Sequence, residues 1–154
     1  MKNLGLVFYL FLSFLSVTVK AQESDPATLK EMITSKHFVF TPQTMTPMSG
    51  STRQVTGGFE LSVNGDSLSC YLPYFGRAYT VSPGEGGMNF NSSSFEYKAK
   101  QKKINSWEIT IKPKDQDDVR QLNFTIYKNG YARLFASSNN RQSIQYYGFV
   151  SKKG

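Results

Sequence analysis

From His37 onward apolar side chains recur at every second position, and that period makes a β-sheet the body of the fold. Phe95, Tyr97 and Ala99 alternate with Glu96, Lys98 and Lys100, and Trp107, Ile109 and Ile111 with Glu108, Thr110 and Lys112. Such strands bury one face and wet the other, as antiparallel neighbours do. Residues 37–41 open the series, and Pro42 and Pro47 predict a sheet edge at their far end. Residues 144–150 close it. Ile144, Tyr146, Gly148 and Val150 share one side, Tyr147 and Phe149 the other, so both faces are expected to be covered.

Two Asn-Gly pairs mark tight turns. A two-residue turn at Asn64-Gly65 pairs Leu61 with Leu68 and Phe59 with Cys70, which puts the apolar residues on one face. At Asn129-Gly130 a two-residue turn fails, because it aligns Arg133 with Ile126 on the buried side. A three-residue loop over Lys128-Asn129-Gly130, with Gly130 left-handed, pairs Ile126 with Ala132 and Phe124 with Leu134. It leaves Arg133 outside, and burying an unpaired guanidinium is costly.

The result is an all-β fold of about eight to nine strands joined in sequence. A small closed or nearly closed antiparallel meander barrel removes its own edges, and a two-layer β-sandwich is the alternative. One short helix precedes the barrel. Asp25 caps it, Pro26 suits its first position, and Leu29, Met32 and Ile33 fall on one side.

The first twenty-one residues have a different character. Lys2 precedes an apolar run over residues 4–17, and Val19-Lys20-Ala21 has the small or β-branched residues of a cleavage site. This is a secretory leader, too short for a stable span. The chain divides into a leader at 1–21, a helical arm at 22–36 and one barrel domain at 37–154. No membrane span remains after cleavage, and the destination is the periplasm or the exterior, with oligomeric state open. Loss of Lys2 and Lys20 leaves sixteen basic against eleven acidic residues, a formal +5. Outside the cytoplasm that balance favours an anionic envelope surface over nucleic acid as partner.

Most catalytic kits fail on inventory. His37 is the only histidine and Cys70 the only cysteine, so neither zinc nor an internal disulfide is available. No catalytic residue, metal or cofactor is assigned. Asp115, Asp117 and Asp118 read as a solvated turn. A hydrolase using paired carboxylates would have to draw on Glu60, Glu85, Glu96 and Glu108, whose places in alternating strands point them outward. Lys98, Lys100, Lys102 and Lys103 form a basic row that serves either as an anionic-surface contact or as edge protection. Cys70 falls on the buried face of its hairpin and reads as a small inert core residue.

The stretch Leu72-Pro73-Tyr74-Phe75-Gly76-Arg77-Ala78-Tyr79 has three aromatics and an arginine around a bend. Tyr74, Phe75, Arg77 and Tyr79 at a barrel mouth suit an amphipathic ligand with an acidic head; a packed bend plugging the barrel end is the alternative. With Gly86-Gly87-Met88-x-Phe90, Asn129-Gly130-Tyr131-Ala132 and Arg141-x-x-Ile144-x-Tyr146-x-Gly148, this stretch resembles the bacterial exported domain-of-unknown-function family 4251. The resemblance covers the chain from about residue 38 to its C-terminus. It implies a calycin-like β-barrel and an exported protein; it brings no activity and no catalytic residues. It also implies a host that O-glycosylates exported proteins at Asp-Ser/Thr followed by an apolar residue, and Asp66-Ser67-Leu68 matches, making Ser67 a glycosylation candidate. The expected function is a non-enzymatic binding module of the cell envelope for a small amphipathic or anionic ligand. A structural or protein-interaction domain with a filled barrel interior is the alternative, and the presence or absence of a cavity separates the two.

Overall fold

A computed structural model describes residues 25–76, 86–103 and 106–153. Helix α1 (Pro26–Thr34) is followed by β1 (His37–Pro47), β2 (Arg53–Gln54), β3 (Glu60–Asn64), β4 (Ser67–Pro73) and β5 (Gly87–Ser92). Then come β6 (Phe95–Lys102), β7 (Ser106–Pro113), β8 (Val119–Tyr127), β9 (Tyr131–Ser138) and β10 (Ile144–Ser151). One antiparallel sheet runs β5-β4-β3-β1-β10-β9-β8-β7-β6, with the short β2 beside β1. The last strand thus returns to the first, and the sheet curls into an incompletely closed barrel. A single continuous sheet replaces the two separate sheets a sandwich would need.

The seam lies between β5 and β6, the two ends of the sheet path. The chain passes from one to the other through Ser93 and Ser94 without a hairpin. The turn after β7 ties this corner. Asp115 accepts from the Ser92 hydroxyl and, at 3.0 Å, from the Ser93 amide, and Gln116 donates to the Asn91 carbonyl at 2.8 Å. Asp115 was expected to be a solvated turn residue; it is exposed, but it serves as a clasp. The Ser92 hydroxyl, more than any other group, holds its carboxyl below the usual range. A depressed folded value means that the stabilisation is present above the ordinary aspartate range and is lost as pH falls through the depressed value. Asp115→Asn should therefore lower Tm at neutral pH and converge on the parent in acid. A deficit independent of pH would remove the carboxylate charge from the account.

At the other side of the seam sits α1. Asp25 caps it by accepting from the Ala27 amide at 3.4 Å, and Pro26 opens it, as predicted. Leu29, Met32 and Ile33 are buried in the core. The Tyr97 hydroxyl of β6 donates to the Ile33 carbonyl at 2.9 Å, and the Gly65 amide donates to the Lys36 carbonyl at 2.9 Å. The helix thus links the β3–β4 turn to β6 where strand pairing is missing.

The interior is filled. Phe124 of β8 meets Phe38 and Phe40 of β1 edge-on, at ring distances of 5.9 and 5.4 Å. These strands are not neighbours in the sheet, so the contact crosses the barrel. Leu61, Ile109 and Ile126 are fully buried with them, and Trp107 packs half-buried against the same core. Cys70 is buried there too, and desolvation pushes its thiol up, so it behaves as a small inert core residue.

The Lys128-Asn129-Gly130 loop has the register expected of it. Ile126 faces Ala132, Phe124 faces Leu134, and Gly130 has φ +79°. The first hairpin differs. Asn64 pairs with Ser67 and Leu61 with Cys70, so the turn residues are Gly65 and Asp66, not Asn64 and Gly65. Gly65 alone takes positive φ, at +63°, which is the requirement of a II′ turn. The shift moves each partner by two residues and leaves every side chain on its expected face.

Three further expectations are corrected. Pro42 lies inside β1, and β1 is central, between β3 and β10. Pairing with β3 ends at Phe40, and the register against β10 slips between Pro42 and Thr44, so the missing amide is tolerated. Ala99 is exposed, because the far half of β6 runs beyond the core. On the outer side of β10 Tyr147 is half-buried, but Phe149 is 43% exposed, so that face is only partly covered.

Candidate functional site

The end of the barrel opposite α1 is built from the ends of β1, β4, β7 and β9 and the starts of β5, β8 and β10. Gly87, at the start of β5, pairs with Pro73, at the end of β4. The Tyr146 hydroxyl rises from the core floor and donates to the Pro73 carbonyl at 2.7 Å. Burial pushes that phenol well above its usual range, so it remains a donor.

Against this strand pair lies Arg141, from the β9–β10 loop. Its residue exposure is only 6%, which demands partners for the guanidinium. Nη1 donates to the Gly87 carbonyl at 2.8 Å, and the guanidinium lies over the Tyr74 ring at 5.2 Å. Nε sits 3.1 Å from Asp118 Oδ2, an ionic contact whose direction does not make a hydrogen bond. The other Asp118 oxygen accepts from Ser138 at 2.6 Å, and the Ser138 oxygen accepts from the Asn140 and Arg141 amides, each at 3.1 Å. The loop that carries Arg141 is therefore folded around the carboxylate that balances it.

Beside this network opens a cleft of about 580 Å³. Leu72, Met88 and Val119 form its apolar floor, and Asn89, Gln116 and the Arg141–Asp118 pair give it polar edges. Phe59, Tyr71, Phe75 and Phe90 bring aromatic surface to it. Phe59 stacks on Tyr71 at 5.0 Å, and the Arg53 guanidinium lies 5.3 Å from the Phe75 ring centre.

Among the described residues, those singled out in the sequence are dispersed by the fold. Tyr74 is 7% exposed, and its hydroxyl donates to the Gln142 carbonyl at 2.9 Å, so it supports the β9–β10 loop. Phe75, the next residue, is 53% exposed and lines the cleft. Arg77 and Tyr79 lie outside the described residues, as does Glu85. Lys98, Lys100, Lys102 and Lys103 are exposed along and just beyond β6, an end strand of the sheet path, and Lys102 pairs with Glu108 at 3.3 Å. Glu96 pairs with Lys114 at 3.2 Å, which occupies a second outward carboxylate. Ser67 is exposed at the start of β4, next to an Asp66 that faces Lys36 at 3.7 Å. The His37 ring nitrogen Nδ1 is 2.6 Å from the Ser35 carbonyl, beside α1 and away from the cleft. Arg141 and Asp118 were missed as site residues. Arg141 stood in a motif block, but nothing in the sequence joins it to an acidic turn.

A family model, the domain of unknown function DUF4251, matches residues 20–150. Among solved structures, the chain is similar to a DUF4251 family protein from Bacteroides eggerthii DSM 20697, whose crystal structure was determined at 1.95 Å resolution. The two share 16% identity and a TM-score of 0.61, over 82% of this chain and 87% of that one. At that identity the likeness concerns the fold alone. A search of curated proteins finds no match.

Proposed function

Since the chain belongs to the DUF4251 family, a domain family without an assigned function, we propose from its own geometry that it is an exported, non-enzymatic binding module whose end cleft takes a small amphipathic molecule. The observation that carries this is the cleft of about 580 Å³ at the end of a barrel that is otherwise filled. An apolar floor with a few convergent polar groups is the usual make-up of a small-molecule site. The floor of Leu72, Met88 and Val119 accepts the apolar part of the ligand. Asn89 and Gln116 meet its polar end. Asp118 already balances Arg141, the one buried cation among the described residues, so hydrogen bonds rather than the charge of that pair select this end. Export is supported by the leader pattern of residues 1–21.

The test uses the amphipathic dye anilinonaphthalene sulfonate as probe. Asn89 is exposed and lines the cleft, so Asn89→Trp fills the site from outside without entering the core. The parent should bind the dye with enhanced fluorescence, and Asn89→Trp should lose that binding about tenfold or more at unchanged Tm. A parent that does not bind, or a stable Asn89→Trp protein that binds equally, would remove the cleft from the function. The filled interior favours a second reading, an interaction domain acting through its outer wall.

A further inference from the structure

The outer wall has its own chemistry, far from the cleft. We infer that the α1 end of the barrel docks on anionic phospholipid surfaces through Tyr127, Tyr131 and Phe149, ringed by Lys128, Lys152 and Lys153. The turn between β8 and β9 and the end of β10 bring these residues together. Phe149 pairs with Tyr131, and the Val150 amide donates to the Gly130 carbonyl at 2.9 Å. The Tyr131 ring lies 6.1 Å from Tyr127 and 5.5 Å from Phe149. Tyr127 is 40% and Phe149 43% exposed. An open notch of about 400 Å³ lies between the two tyrosines, with Lys128 and Asn129 on its rim.

Charge selects the partner. No acidic residue occurs in β8, β9 or β10 or in the turn between β8 and β9, whereas Arg120 and Arg133 are exposed on the same wall. Lys128, Lys152 and Lys153 are exposed and make no ion pair among the described residues, in contrast to Lys102 and Lys114. Lysine is depleted in protein–protein interfaces, which disfavours a protein partner for a patch ringed by it. Tyrosine settles at the head-group level of membranes, and lysines beside it are drawn to anionic lipid. Each such lysine contributes about fivefold to partitioning. A few partly exposed rings plus a basic cluster give the two signals that reversible peripheral attachment needs.

The experiment is sedimentation with phosphatidylcholine vesicles, with and without phosphatidylglycerol. It uses the protein from Gln22, which holds every described element and omits an apolar leader that would bind lipid by itself. The protein should sediment with phosphatidylglycerol vesicles at low salt and stay in solution with phosphatidylcholine alone. Combining Lys128→Gln, Lys152→Gln and Lys153→Gln should lower partitioning about a hundredfold. Tyr127→Ser with Phe149→Ser should also lower it, at unchanged charge and with little change in Tm. Failure to bind, or equal binding by both variants, would overturn the proposal. So would a dimer of the parent that dissociates in the Tyr127→Ser, Phe149→Ser variant, because the patch would then belong to a second copy of this chain. None of these outcomes bears on dye binding in the cleft.

Discussion

Alanine at Gly148 should cost the barrel about 3 kcal/mol, roughly 10 °C in Tm. Gly148 faces inward on β10, opposite Pro42, where the register of β1 slips. A Cβ there would collide with the Thr41 carbonyl oxygen and lie 2.8 Å from Pro42 Cα. Both are backbone atoms of the central strand β1, so no side-chain rotation relieves the contact. Either β1 or β10 must move, and each carries hydrogen bonds to a second strand. Gly58→Ala is the control: a Cβ at Gly58 meets nothing within 4 Å, so its Tm should stay near that of the parent. Thermal denaturation followed by circular dichroism reads both. A Gly148→Ala protein melting within a degree or two of the control would mean that the two strands are less closely apposed than described.

The same strand pair shows what the sequence carried and what it did not. Alternation assigned the inward faces of β7, β8, β9 and β10, because a half-wet strand has to keep apolar residues in step. The second hairpin was legible to the residue, since a two-residue turn at Asn129-Gly130 would have aligned Arg133 with Ile126. The first was not. Turns at Asn64-Gly65 and Gly65-Asp66 put the same residues inside, and a period of two cannot detect a slip of two. Pro42 misled for a related reason. A proline is barred from a strand only where its amide is needed, and β3 releases β1 at Phe40, two residues earlier.

The site was less legible than the fold. Adjacent residues of the aromatic bend do opposite things: Tyr74 turns in to support Arg141, and Phe75 turns out to the cleft. The basic residue that organises this end is Arg141, and its counter-charge comes from a different turn. In the sequence Asp118 looks like its neighbours Asp115 and Asp117, and only the fold sets it against Arg141. Pairings of this kind depend on which loops share a barrel end, and local pattern does not encode that.

That pairing should respond asymmetrically to mutation. Asp118→Ala leaves an almost fully buried guanidinium without its counter-charge. Breaking a fully buried pair in this way costs about 3–5 kcal/mol. Here the Asp118 side chain is 31% exposed, so solvent reduces the loss to about 2 kcal/mol. Arg141→Met keeps much of the packing on Tyr74 and removes the charge that needs solvation. It leaves a carboxylate that still accepts from Ser138, at a cost of about 1 kcal/mol. The double variant should be more stable than the sum of the two losses predicts, and chemical denaturation of all four proteins measures the coupling. Arg141→Met also frees the Gly87 carbonyl, loosening the start of β5 on the cleft wall, so dye affinity should fall even where stability is largely kept. Additive losses would reduce Arg141 to packing. An Asp118→Ala cost within about 0.5 kcal/mol, the range of ordinary surface changes, would show that the guanidinium reaches water and that the cleft has a hydrated, cationic floor.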